Sequence, residues 1–179
     1  MRWGRALLSG VAAGAARILI ISVVAWITRN GGVDLAVFVG SMITGEMTAS
    51  TWIMGFILYL LVSSLIALLY AIGFEIARKA GWRLGLMGGL IHTAVGGFTL
   101  LILPAIHPAM PQPIRAPGAF GANYGPAAVI GFIAGTLAYG AIVGALYRPA
   151  NVPFTPPQDL ETGPEDHTIG AGEHGTRWH

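Results

Sequence analysis

The chain contains no cysteine, which removes disulfides, thiolate-held zinc and iron–sulfur clusters in one step. Charge is nearly as scarce, since Asp, Glu, Lys and Arg together make up only 10% of the residues. Within the apolar stretches there is no pair of carboxylates, no nucleophile with a base beside it and no cluster of metal ligands. No catalytic residues and no metal site are therefore assigned, and an enzyme is not expected. Nothing in the sequence points to a nucleic-acid partner.

What fills the chain instead is hydrophobic. With 54% hydrophobic residues and a mean hydropathy of +0.67, the composition does not describe an ordinary soluble domain. Crossing a hydrocarbon layer of about 30 Å takes about 20 helical residues, and four segments reach that length: residues 6–28, 51–74, 84–104 and 127–147. The expectation is an all-α, four-transmembrane-helix bundle in one domain, residues 1–148, followed by an irregular tail, residues 149–179. The N-terminal Met1-Arg2-Trp3-Gly4-Arg5 with the small run Ala12 to Ala16 has some look of a secretory signal, but apolar residues continue through Ile27 and read as an uncleaved first helix.

Orientation follows from Lys and Arg. Arg2 and Arg5 precede the first span, Arg78, Lys79 and Arg83 separate the second from the third, and Arg148 follows the fourth. The two other connections hold only Arg29 and Arg115, so the positive-inside rule places both termini in the cytoplasm, in a bacterial inner membrane. Trp3, Trp26, Trp52, Trp82, Tyr124 and Tyr147 all fall at span ends, where amphipathic rings anchor at the interface.

The outer connections are long. Residues 35–50, LAVFVGSMITGEMTAS, are apolar but too short to span, as in an interfacial or re-entrant segment. From Pro104 to Pro126 the prolines at 108, 111, 113 and 117 forbid a regular helix, whereas Pro126 suits a helix first turn. The tail carries one Arg against five acids, and its prolines and glycines cannot build a core, so it is either solvated or draped over a partner. Its His167, His174 and His179 lack a scaffold that would fix a metal.

Small residues mark the packing faces: Gly10 and Gly14 in the first span, Gly85 and Gly89 in the third, Gly131 with Gly135 and Gly140 with Gly144 in the fourth. The two pairs on the fourth span lie about half a turn out of phase, so one is expected to serve the bundle and the other a neighbour or a second copy. Arg17 shares the stripe of Gly10 and Gly14, and His92 that of Gly85, Gly88 and Gly96. At about 1.5 Å per residue Arg17 lies roughly 18 Å deep and His92 roughly 12 Å, with Ser63, Thr93 and Thr136 at comparable depth. A buried polar cluster of Arg17, Ser63, His92, Thr93 and Thr136 is the expectation. An arginine near mid-bilayer costs at least about 2.5–3.5 kcal/mol, which makes Arg17 a functional candidate, and no in-chain carboxylate matches its depth. His92 is the one candidate cofactor ligand; it cannot share a metal with His107, about 22 Å along the same helix.

Several of these segments taken together resemble a family of uncharacterised bacterial four-helix membrane proteins: Trp52-Ile-Met-Gly55 through Leu68-Leu69-Tyr70, His92, His107-Pro108, Pro117-Gly118-Ala-Phe120, Asn123-Tyr-Gly125-Pro126 and Tyr139 to Tyr147. The resemblance covers residues 6–148 and implies the fold and orientation without an activity. It also implies histidines in the second and fourth spans where this chain has Tyr59 and Thr136. A faint echo between residues 55–70 and 131–147 suggests two helical hairpins.

Three functions are consistent with these features. The first is a non-catalytic accessory subunit of a larger membrane complex, respiratory or photosynthetic, in which other integral membrane subunits and lipid are the partners and Arg17 meets a carboxylate, a phosphate or a cofactor's acid group. The second is a small oligomeric transporter or channel using Arg17 and His92. The third is a haem-, pigment- or quinone-binding protein using His92, although no cofactor is required by the sequence.

Overall fold

The computed structural model describes residues 1–28 and 34–149. Among these the chain is all-helical and without strands: α1 Trp3–Thr28, α2 Leu35–Thr44, α3 Ala49–Ala77, α4 Trp82–Ile106 and α5 Pro126–Leu146, with a short 3-10 segment at Ala119–Tyr124. Four helices, α1, α3, α4 and α5, are long and apolar enough to cross a membrane, with mean hydropathies of 2.1, 2.4, 1.8 and 2.0. The acidic tail from residue 150 onward and Arg29 lie outside the described residues.

Local chemistry sets the helix ends. The Asp34 side chain accepts from the Ala36 and Val37 amides and starts α2, which stops where Gly45 turns left-handed at φ 68°. Thr48 caps α3 by accepting from Thr51 N, and Arg78 ends it at φ 51°. Pro126 occupies the first turn of α5, where its missing N–H costs nothing.

The long helices form a row in the order α3, α1, α5, α4. Glycines bring neighbours together, because backbones approach closely only where no Cβ intervenes. A Cβ on Gly10 would lie 2.6 Å from Ser64 Cα, and one on Gly14 would strike the Ser63 side chain, so both face α3. Gly131 and Gly135 face Ile21, Val24 and Arg17 of α1. Gly140 and Gly144 interlock with Gly81, just before α4, and with Gly85 and Gly89 of α4, each backbone filling the space a Cβ would need. The expectation that one glycine pair of the fourth span is left for a neighbour is thereby corrected: both pairs pack within this chain, one on α1 and one on α4.

One end of the row is tied by polar contacts. Tyr147, buried just beyond α5, donates to Glu75 of α3 at 2.6 Å and accepts from the Arg2 amide at 3.3 Å, and the Met1 amino group lies 3.7 Å from the same carboxylate. Tyr147 is thus an internal tie rather than an interfacial anchor, whereas Trp3, Trp26, Trp52 and Trp82 are exposed. At the opposite end α2 lies against the start of α3, with Gly40 on Thr51 and Gly55 on Ala36. At about 1.5 Å per residue its ten residues are roughly 15 Å long, half a bilayer core. His107 fastens this cap: its Nε2 donates to Phe38 O at 2.9 Å and its Nδ1 accepts from Ala109 N at 3.1 Å.

Candidate functional site

The row curls so that α3 and α4, its outermost helices, border a groove without packing backbone on backbone. About 760 Å³ in volume, it runs between Ile66, Leu69 and Phe74 of α3 and Leu84, Met87 and Val95 of α4. Phe132 of α5 and Arg17 of α1 form part of its floor. Leu69, Met87, Ile91 and Val95 along its rims are each 62–68% exposed, so in a bilayer the groove opens to lipid.

Arg17 is 7% exposed. Its aliphatic stem lies along α5, with Cγ 3.1 Å from where a Gly135 Cβ would stand, and its guanidinium carbon sits 5.1 Å from the Phe132 ring centre. That cation–π contact supplies part of what the charge lost on leaving water. Arg17 Nε and the Tyr59 hydroxyl are both buried short of a well-formed hydrogen bond, although the guanidinium lies close enough to that hydroxyl to interact with it. Among the described residues no carboxylate lies within salt-bridge distance of Arg17; Glu75 is engaged at the tied end. A buried polar atom left unpaired costs about 1–3 kcal/mol, more when charged, so the floor is an unsatisfied donor beside an apolar space.

Three tyrosines, none of them anticipated as site residues, surround this point. Tyr70 reaches across from α3: its hydroxyl is 3.2 Å from His92 Nδ1, its ring lies against Gly88, and it packs edge-on to Tyr139 with ring centres 5.7 Å apart. Tyr139 of α5 donates to the Ser63 carbonyl at 2.5 Å and meets His92 edge to face. Tyr59 completes the set from α3. A tyrosine well inside an apolar span was the available signal, because a buried hydroxyl asks for a partner.

The expected polar cluster is brought together only in part. Arg17 is near enough to Tyr70, His92 and Tyr139 for its charge to act on all three. Ser63 joins the group through its backbone carbonyl, while its hydroxyl donates to Gly10 O at 2.8 Å and pins α3 to α1. Thr93 and Thr136 are buried but donate to Gly89 O and Phe132 O of their own helices, which leaves them no hydroxyl proton for the site. His92 is half-buried and lines the groove; among the described residues no group of three or more His, Asp or Glu converges on one point.

No protein family, curated protein or solved structure matches the chain. The site is consequently read from its own geometry.

Proposed function

We propose that the protein is a non-catalytic accessory subunit of a larger membrane assembly, whose working part is the α3–α4 groove with Arg17 at its floor. The observation that carries this reading is the buried Arg17 guanidinium, with Nε unpaired and no carboxylate beside it, bordering a groove open to lipid. A charge in that setting is stabilised by an acidic group brought in from outside the chain on an apolar body, whether a subunit helix, a lipid or a cofactor. With the glycine faces consumed internally, this groove is the surface on which a guest and a bilayer-embedded partner would meet. We further propose a bacterial inner-membrane location with the tied end, bearing Arg2, Arg5, Arg78, Lys79, Arg83 and Arg148, in the cytoplasm, and with α2 at the outer interface or partly re-entrant.

Conduction through the bundle is the weaker reading. The hydroxyls of Ser64, Thr93 and Thr136 are turned onto carbonyls of their own helices, so the row offers little lining for an aqueous path. His92 as a cofactor ligand is weaker too, since among the described residues it belongs to no group of three or more His, Asp or Glu.

The test is gentle detergent extraction of the tagged chain from its own membrane followed by native mass spectrometry. A defined set of other membrane subunits is expected, diminished by Arg17→Leu. A lone monomer or homo-oligomer, unchanged by the substitution, overturns the reading.

A further inference from the structure

The dimensions of the groove limit what can reach Arg17. A transmembrane helix is about 10 Å across and 30 Å long, a cylinder of roughly 2,400 Å³. That is about three times the 760 Å³ available. The Tyr70 side chain also spans the gap, its ring on Gly88 and its hydroxyl on His92, so a helix laid along the mouth is held away from the floor. A flexible chain is under no such restriction: it can bend past the Tyr70 ring and lie along Ile66, Leu69, Met87 and Val95. The volume falls within the range of about 300–1,000 Å³ typical of small-ligand sites.

Charge and depth narrow the guest further. Arg17 sits near the middle of α1, fourteen residues from Trp3 and eleven from Thr28, or about 21 Å and 16 Å along the helix. A phospholipid anchors its phosphate at the edge of a hydrocarbon core about 30 Å thick, far from that level. A carboxylic acid differs, because it can enter hydrocarbon as the neutral acid, and its planar carboxyl matches the guanidinium fork.

We infer that the groove is a binding site for one long-chain carboxylic acid, seated with its carboxyl against Arg17 and its chain along the α3 and α4 walls. The inference rests on the proposed function, in which Arg17 awaits an external acid, and specifies that acid. The carboxyl accepts hydrogen bonds from the guanidinium, which lines the groove. His92, tied to Tyr70, lines the wall beside it. Affinity then has two separable sources, the charge at the floor and the apolar length of the groove.

The experiment uses the purified full chain in detergent and radiolabelled oleate, with oleyl alcohol as a competitor of equal length and no charge. Saturable binding of one oleate per chain is expected, weakened tenfold or more by Arg17→Leu and poorly displaced by the alcohol. Because Arg17→Leu can alter the packing of α1 on α5, a second variant is needed. Gly73 lines the groove, and a Cβ there meets nothing within 4 Å, so Gly73→Trp brings an indole into the groove from a position where the row has open space. It is expected to weaken oleate binding tenfold or more without lowering the unfolding temperature. Equal binding by wild type and both variants, or full displacement by oleyl alcohol, marks simple partitioning and overturns the inference. Absence of oleate binding together with Arg17-dependent retention of companion subunits also overturns it, yet leaves the proposed function standing with a protein carboxylate as the guest. Loss of both signals removes both.

Discussion

Tyr147 donates to Glu75 across 2.6 Å, joining the C-terminal end of α5 to the last turns of α3 beside the start of α1. Burial raises the Tyr147 phenol above the ordinary tyrosine value of 10.0, and its bond to the Glu75 carboxylate raises it further. A raised folded-state pKa means that the protonated phenol stabilises the fold, fully so below about pH 10, and that this contribution fades as pH climbs through the higher folded value. Unfolding temperature is therefore expected to hold through neutral pH and to fall on the alkaline side. Tyr147→Phe should cost about 1.5–3 kcal/mol at neutral pH, as for a hydrogen bond to a charged group. It should also flatten the alkaline fall. An identical alkaline slope in the variant, followed by circular dichroism in detergent, would remove Tyr147 from this role.

The α4–α5 contact depends on absent side chains. A Cβ on Gly85 would run into the Gly140 carbonyl, backbone that cannot swing aside. Gly85→Ala should therefore destabilise by about 1–3 kcal/mol, the usual cost of overpacking. Gly73→Ala meets nothing and should gain up to about 1 kcal/mol of helix propensity. Thermal melts of the two variants that move in the same direction would contradict this account of the row.

The lack of native cysteine makes topology directly measurable, because a single introduced thiol is the only one to react. Lys79 in the turn after α3 and Gln112 in the connection before α5 are both exposed. With a membrane-impermeant maleimide on intact cells, Gln112→Cys should label at once and Lys79→Cys only after permeabilisation. The opposite pattern would invert the orientation.

Much of this architecture is legible in the sequence, since membrane solvent leaves few alternatives. Span length fixed four helices to within a few residues, and helical phase put Gly10, Gly14 and Arg17 on one buried stripe. Phase states which face a residue occupies but not which helix it meets, so the partnership of Gly140 with Gly85, and the use of both glycine faces of α5, emerge only in three dimensions. For the same reason Thr93 and Thr136 could be placed near Arg17 in depth, yet their hydroxyls turn back onto Gly89 and Phe132. Tyr59, Tyr70 and Tyr139 were hidden because aromatic residues in an apolar span blend into its hydrophobicity until a hydroxyl partner is located. The His107 fastening of α2 links residues 69 apart, a separation no local pattern reports.

The order of helices in the row sets a problem of timing. Synthesis delivers α1, α3, α4 and then α5, and N-terminal parts of a chain generally fold first. α1 and α3 can pair as soon as both are in the membrane, but α4 finds its backbone partner only when α5 arrives, because Gly85 and Gly89 fit Gly140 and Gly144 rather than anything on α3. Until α5 is made, Gly85 and Gly89 of α4 lack the backbone they fit, and the last of the four long helices is the one that fastens both halves.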